Sequence, residues 1–251
     1  MPRSRRQTRE GRAPQVLRAV LRLREMILTG ALPAGHRVAE LKAVDSVGVS
    51  RTPLRLAMET LEHEGLLARR ASGGFVVRAF SLQDVQQAIE LRGALEGMAC
   101  RFAAARSADD RRAAPLAEIV AALDTALDVR RPTLETFSRY LELNERFHQA
   151  IVDLARNPLL ARLLAQVRAL PFASPSAFVH TQATSAESFR ILVVAQEHHR
   201  TIAQAIADGD ASRAEALARE HARLALRNLD AAIRDVEAFR RLPGAKLIKF
   251  A

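Results

Sequence analysis

Aromatic residues and cysteine are scarce in this 251-residue sequence: tryptophan is absent, tyrosine and cysteine occur once each, and aromatic residues amount to 4%. Because β-sheets favour aromatic and β-branched residues, this scarcity indicates a mainly α-helical protein. The single cysteine, Cys100, excludes an internal disulfide framework and suits a reducing compartment. The sequence also lacks an apolar run of about 18 residues and the hydrophobic segment of a secretion signal. We therefore expect a cytoplasmic protein that does not bind membranes.

The chain has a net charge of +10, and most of this positive charge lies in its first third. Residues 1–80 contain 15 lysines and arginines against 7 acidic residues, whereas residues 81–251 contain 23 against 21. The length is sufficient for two domains. This distribution predicts nucleic-acid binding by the first third and a different task for the nearly neutral remainder.

The first third shows the element pattern of a winged helix-turn-helix domain, which we place at residues 13–79 behind a disordered basic arm over residues 1–12. Apolar periodicity predicts helices over residues 16–30, 38–47 and 50–64. The segments LLARR and FVVRAF, joined by ASGG, then predict a two-stranded hairpin. Three helices followed by a hairpin are typical of this fold, with the third helix as recognition helix.

The remainder of the chain carries helical patterns without a further strand signal. We therefore predict an all-helical domain over residues 80–240 and a tail over residues 241–251. The predicted helices lie near residues 82–105, 109–130, 133–156, 158–170, 185–208 and 211–240.

The segment SRTPLR at the start of the recognition helix combines a helix cap with basic side chains. Ser50 is a favourable N-cap, and Pro53 is tolerated in the first turn. Arg51, Thr52 and Arg55 lie where a helix in the major groove reaches phosphates and base edges, and Arg55 is our candidate base reader. The alternative is that these arginines are ordinary solvent-exposed side chains on the polar face of the helix.

Three histidines of the second domain have a pattern that metal binding would require. His148 lies four residues after Asn144 and therefore shares its helix face, whereas His199 and His221 lie on two later predicted helices. Imidazoles from separate helices can converge on a divalent metal, with the Asn144 carbonyl as an oxygen ligand. A histidine on a helix is more commonly an ordinary core or surface residue, so the spacing leaves both interpretations open. His198 points about 100° away from His199 and is not a candidate ligand.

The stretch VGVSRTPLRLAMETLEHEGLLARRASGGFVV closely resembles the operator-binding domain of GntR-family transcription regulators. Leu56 departs from the glutamate that this resemblance leads us to expect after Arg55. The resemblance implies that the wing tip reaches the minor groove and that the start of the recognition helix contacts DNA. The residues concerned are Ser50, Arg51, Thr52, Pro53, Arg55 and Gly73.

The segments ELRGALE, NERFHQAIVDLARNP, EHHRTIAQAI and EHARLAL resemble, in this order, the FCD ligand-binding domain of the FadR-type branch of that family. The resemblance implies a divalent metal, with zinc, nickel and manganese left open, and an arginine that clamps an effector carboxylate. The implied metal ligands are Asn144, His148, His199 and His221, and the implied effector contacts are Arg92 and Tyr140. Asn144 stands where many members have aspartate, which removes one negative charge from the site.

These features together predict a transcription regulator, most simply a repressor, that binds an inverted-repeat DNA operator as a homodimer and responds to a small carboxylate. The segments YLELNERFHQAI, LPFASPSAF and HHRTIAQAI are most similar to vanillate-responsive repressors, which implies an aromatic acid as effector. Two alternatives are a DNA-binding protein whose metal is purely structural and a metal-dependent hydrolase with Glu197 as general base.

Overall fold

The computed structural model describes residues 12–107, 113–127, 134–178, 186–234, 236–240 and 242–249. The predicted disordered arm lies outside these residues, except for Arg12, with which the first helix begins. The chain forms two compact units. The first contains the residues up to Asp84, residues 169–171 and the segment from Pro243 onward, and the second contains residues 85–168 and 172–242.

Three helices build the first unit: α1 (Arg12–Leu28), α2 (Glu40–Val47) and α3 (Arg51–His63). Their apolar residues recur every three or four positions and therefore form a shared core, with Leu23, Leu54 and Met58 fully buried. Gly48 ends α2 in the left-handed conformation, with φ of 69°, and its N–H donates to the Val44 carbonyl. Glycine adopts this conformation without steric cost, which permits the tight turn into α3.

A three-stranded antiparallel sheet completes the winged helix. It contains β1 (Arg37–Val38), β2 (Leu67–Arg69) and β3 (Phe75–Val77) in the order β1-β3-β2. The predicted hairpin is present, with Leu67 opposite Val77, but β1 was not predicted, and the second helix begins at Glu40 instead of residue 38. Val38 pairs with Phe75 across the sheet. A strand of two residues is too short to show an alternating pattern, so only its distant partner identifies it.

The segment predicted as a tail over residues 241–251 contains regular secondary structure where the structure describes it. A 3-10 helix (Ala245–Leu247) is followed by β5 (Ile248–Lys249), which pairs in parallel with β4 (Phe80–Ser81). Leu247 and Ile248 are buried. The partner of β5 lies about 170 residues earlier in the chain, and parallel pairing over such a distance leaves no local sequence signal.

Helices account for all the regular secondary structure that is described in the second unit, as predicted. Their bounds follow the predicted ranges closely, and the described part of the last predicted helix comprises Ala211–Arg234 and Val236–Arg240. None of the described helices is both long and apolar enough to cross a lipid bilayer. The helices are α4 (Leu82–Ser107), α5 (Ala114–Leu127), α6 (Leu134–Ala155), α7 (Pro158–Arg168), α8 (Ala186–Ala207), α9 (Ala211–Arg234) and α10 (Val236–Arg240).

Two glycines on α4 allow α9 to approach closely. A Cβ atom added to Gly93 would lie 2.8 Å from the Ala222 Cβ, and one added to Gly97 would lie 3.1 Å from the Glu215 carbonyl oxygen. Both distances are shorter than ordinary van der Waals contact between these atoms. The close approach brings Arg92, next to Gly93, within 3.3 Å of the Ala222 carbonyl oxygen, to which its Nη2 donates.

Candidate functional site

Three histidines from three helices meet inside the second unit. His148 lies on α6, His199 on α8 and His221 on α9, and each offers a ring nitrogen within 4.8 Å of the other two. The Nε2 atoms of His199 and His221 are 3.2 Å apart. Two nitrogens bound tetrahedrally to zinc at about 2.0–2.1 Å lie about 3.4 Å from each other. The cluster therefore has the spacing of a metal-binding group.

The three imidazoles are in the protonation state that metal binding requires. Burial lowers the pKa of His148, His199 and His221 well below the usual value of histidine. Neutral rings keep a nitrogen lone pair at physiological pH, so protons compete little with a cation for this site.

Two side chains behind the histidines orient their rings. Gln196 Oε1 lies 3.0 Å from His199 Nδ1, so Nδ1 carries the proton and Nε2 keeps its lone pair. The Gln196 amide nitrogen in turn donates to the Asp124 carboxylate at 2.5 Å. On the other side, Glu96 Oε1 lies 3.5 Å from His148 Nδ1. Gln196 was not predicted, although its position three residues before His199 could have indicated it.

Glu96 is the centre of a buried ion-pair network. It lies 2.7 Å from Arg168 and 3.8 Å from Arg92, which precedes it by one helical turn on α4. Burial alone would raise the pKa of Glu96, but interaction with His148 and attraction by the Arg92 and Arg168 guanidiniums lower it to about 2. The carboxylate is therefore ionised at neutral pH and compensates the buried arginine.

Asn144, the predicted oxygen ligand, is buried in the same region. Its Nδ2 donates to the Ser176 hydroxyl at 2.9 Å, and this hydrogen bond does not use the carbonyl oxygen, which is the predicted ligand atom. Asn144 also lines a small cavity together with Arg92 and His221. His198 does not belong to the histidine cluster among the residues that the structure describes.

The small cavity contains polar groups that lack partners within the described chain. Its volume is about 30 Å³, close to that of one water molecule in the liquid. Arg92, Tyr140 and Asn228 line the cavity. The Arg92 Nε and Nη1, Tyr140 hydroxyl and Asn228 Oδ1 atoms are buried without a hydrogen-bond partner in the described parts. Unsatisfied buried polar atoms are rare and costly in proteins, and they mark places where a ligand can bind. Asn228 was not predicted, since its orphan oxygen depends on the packing of several helices.

The start of α3 exposes most of the residues that were predicted to contact DNA. Ser50 has the extended backbone of an N-cap, but its side chain makes no capping bond within the described structure. Arg51, Thr52 and Arg55 are exposed. Pro53 is buried in the first turn of α3, and its contact with DNA stays a prediction.

The wing turn lies at the end of the hairpin. Gly73 is exposed there with φ of +84°, and its N–H donates to the Arg70 carbonyl. The structure adds Arg37, an exposed residue of β1 whose guanidinium lies within 4 Å of the Cβ position of Gly74. Arg37 was not predicted, because strand β1 was not predicted either. On α3, Arg55 pairs with Glu59 at 3.7 Å, so an ion pair is present although Leu56 replaces the expected glutamate.

Comparisons with known proteins agree with both units. Residues 15–77 match the family described as bacterial regulatory proteins, gntR family, and residues 87–224 match the FCD domain. The HTH-type transcriptional regulator YdhC of Bacillus subtilis is 31% identical over 157 residues, which cover 62% of this chain and 68% of YdhC. The Nta operon transcriptional regulator of Aminobacter aminovorans is 33% identical over 133 residues, or 53% of this chain and 60% of that protein. The solved structure of E. coli McbR/YncC has the same fold, with a TM-score of 0.60, 19% identity and coverage of 88% and 98%.

Proposed function

The chain belongs to the GntR family of bacterial regulatory proteins, as a DNA-binding transcription regulator with an FCD domain, and we propose that a metal-bound small carboxylate controls its affinity for an operator. The observation that carries this proposal is the meeting of three neutral imidazoles beside a cavity in which Arg92 has unpaired donors. A regulator of this kind acts in the cytoplasm, where its DNA lies.

The donor set fits a divalent metal. His148, His199 and His221 would supply three nitrogens and Asn144 a neutral oxygen, a combination that suits zinc, nickel or manganese. The metal would contribute positive charge that attracts a carboxylate, and the neutral ligands leave that charge undiminished. Arg92 would clamp the carboxylate, because a guanidinium offers two parallel donors.

The effector would be a small organic acid, and aromatic acids such as vanillate are the first candidates to test. A cavity of about 30 Å³ is smaller than any such acid, so binding must move part of the wall. Pro175 and Phe178, which line the cavity, lie outside the helices and can move without breaking a helical hydrogen-bond ladder. This rearrangement would be the first step from effector binding to release of the operator.

The experiment that tests the proposal is a thermal-shift screen of small carboxylates on metal-loaded and metal-free protein, followed by operator-release assays with each hit. A ligand that binds only the folded state raises the melting temperature. We expect hits with the metal-loaded protein alone, and these hits should release operator DNA. A protein that retains its metal but responds to no carboxylate would instead support the alternative of a purely structural metal.

The hydrolase alternative is wrong, because the matching families and relatives are transcription regulators. The proposed general base also has another role: Glu197 is exposed and forms an ion pair with Arg200 at 2.5 Å. The protein is therefore a regulator and not an enzyme.

We expect a homodimer that binds an inverted repeat, with the dimer contact in the helical unit. A single winged helix contacts too few base pairs to find one site in a genome, and two-fold symmetric proteins match two-fold symmetric operators. Light scattering at micromolar concentration should give twice the mass of the chain. A monomer that still protects a complete operator in footprinting would contradict this prediction.

Replacing Arg55 by alanine should cost about 1–3 kcal/mol of operator affinity and relax specificity at one position of each half-site, as expected for a base-reading arginine. Arg51→Ala is the matched comparison, because it should weaken binding to all sequences more uniformly through lost phosphate contacts. The measurement is fluorescence anisotropy with an operator selected from random DNA, with its single-base variants and with non-specific DNA. If Arg55→Ala leaves the ratio of specific to non-specific affinity unchanged, another residue reads that base.

A further inference from the structure

The side chain of Gln196 on α8 joins His199 to two hydrogen-bond acceptors of α5. Its Oε1 lies 3.0 Å from His199 Nδ1, and its Nε2 lies 2.5 Å from the Asp124 carboxylate and 3.3 Å from the Val120 carbonyl oxygen. Gln196 and His199 are both buried, so their hydrogen-bond partners are those that the protein itself supplies.

The amide of Gln196 has one orientation that satisfies all these contacts. A carboxylate and a backbone carbonyl can only accept hydrogen bonds, whereas the amide nitrogen has two protons to donate. The nitrogen must therefore face Asp124 and Val120, because a rotated amide would place its oxygen against two other acceptors in a buried region. The amide oxygen then faces His199 and accepts the ring proton, which fixes that proton on Nδ1.

Arg200 holds the Asp124 carboxylate at this position. Its Nε lies 3.1 and 3.2 Å from the two carboxylate oxygens, and its Nη2 lies 2.8 Å from Oδ1. The same Oδ1 accepts the hydrogen bond from Gln196. Since a guanidinium only donates hydrogen bonds, Arg200 favours an oxygen at the point that Gln196 contacts. The donors and acceptors therefore follow one direction from the exposed Arg200 to the buried His199.

We infer that Asp124 is a positioning residue of the histidine cluster: through Gln196 it keeps the His199 proton on Nδ1, so that the lone pair of Nε2 is free to bind the metal. This inference rests on the proposed function, which supplies the metal.

The same arrangement assigns the proton between two rings of the cluster. His199 Nε2 lies 3.2 Å from His221 Nε2, and a hydrogen bond between two neutral imidazoles needs one donor and one acceptor. Because His199 carries its proton on Nδ1, it accepts in the metal-free protein, and His221 donates from Nε2. The two rings therefore have opposite tautomers, and binding of Zn²⁺ should change the tautomer of His221 while that of His199 stays the same.

The experiment measures tautomers and metal affinity on the same preparations of full-length protein. Nuclear magnetic resonance of protein with isotope-labelled histidine distinguishes protonated from unprotonated ring nitrogens, and competition with a chelator measures the affinity for Zn²⁺. Asp124→Leu removes the acceptor, so metal-free His199 should show both tautomers, and the Zn²⁺ affinity should fall by about 10- to 100-fold, the usual cost of losing a group behind a metal ligand. Asp124→Asn keeps an oxygen that Arg200 can hold, so it should keep the Nδ1 proton and stay within about 3-fold of wild type, because a partly exposed ion pair contributes little.

Two further variants separate positioning from folding. Gln196→Met keeps the length of the side chain and removes its amide, so it reports on His199 if Asp124→Leu folds poorly, and it should lower the Zn²⁺ affinity to a similar extent. Glu197→Gln is the matched control, because it removes the other carboxylate that pairs with Arg200, at an exposed position of α8. This control should keep the tautomers and the affinity of wild type.

The outcomes separate this inference from the proposed function. A metal-free wild type with the His199 proton on Nε2 would overturn the inference, whatever its metal affinity. Unchanged Zn²⁺ affinity in both Asp124→Leu and Gln196→Met would overturn it as well, as would a loss in Asp124→Asn equal to that in Asp124→Leu. If instead the wild type has the expected tautomers but binds no Zn²⁺, the positioning of His199 by Asp124 stands and the metal-mediated function falls.

Discussion

Replacing His148 by alanine should abolish both metal binding and release of the operator by the effector. The variant loses one of three imidazoles, and because changes behind a metal ligand already cost about 10- to 100-fold in affinity, losing a ligand should cost more than about 100-fold. Operator binding without effector should remain, because the DNA-reading residues belong to the other unit. Metal content by mass spectrometry and operator release by an identified effector would be measured on the same preparations.

His198→Ala is the control for this variant, because His198 is adjacent to a cluster member but is not itself part of the cluster. It should keep its metal and its response. Unchanged operator release by metal-free His148→Ala would contradict the metal-mediated mechanism. Carboxylate recognition would then rest on Arg92.

Glu96→Gln should lower the free energy of unfolding by about 3–5 kcal/mol at neutral pH, because it removes the carboxylate of a buried ion-pair network and leaves charge uncompensated. Arg92 would be the most affected partner, since it is almost fully buried and lies 3.8 Å from that carboxylate. Urea unfolding of metal-free protein measures this loss without the contribution of metal binding. Glu90→Gln, at an exposed position of the same helix, should change stability by less than about 0.5 kcal/mol.

The stability difference between wild type and Glu96→Gln should depend on pH in a defined direction. Attraction by neighbouring cations overcomes burial and lowers the pKa of Glu96 from 4.5 to about 2 in the folded protein. A group whose pKa is depressed by folding contributes stability that is fully present above its unfolded pKa and is lost as the pH falls through its folded pKa. The difference in the free energy of unfolding should therefore be largest above pH 4.5 and should decrease as the pH falls from 4.5 to 2. A difference that stays constant over this window would show that packing, and not charge, carries the effect.

The sequence alone determined the features that arise within one element or one turn. Gly48 predicted the turn before the recognition helix, because the tight turn needs a residue in the left-handed conformation and glycine adopts it without steric cost. The apolar spacing of Leu54 and Met58 predicted which face of α3 is buried, since helical periodicity acts over one or two turns. The same spacing rule placed Asn144 and His148 on one face. The predicted helices also offered His199 and His221 as candidate ligands, and the family resemblance implied the complete set.

Only the tertiary structure decided the features that join distant segments. Strand β5 pairs with a strand about 170 residues earlier, and Glu96 meets His148 across 52 residues. The burial of Pro53 and the unpaired oxygen of Asn228 depend on what other elements pack against them. Local periodicity and capping are encoded in neighbouring residues, whereas contacts between elements depend on the packing of whole helices and strands, which no short segment specifies by itself.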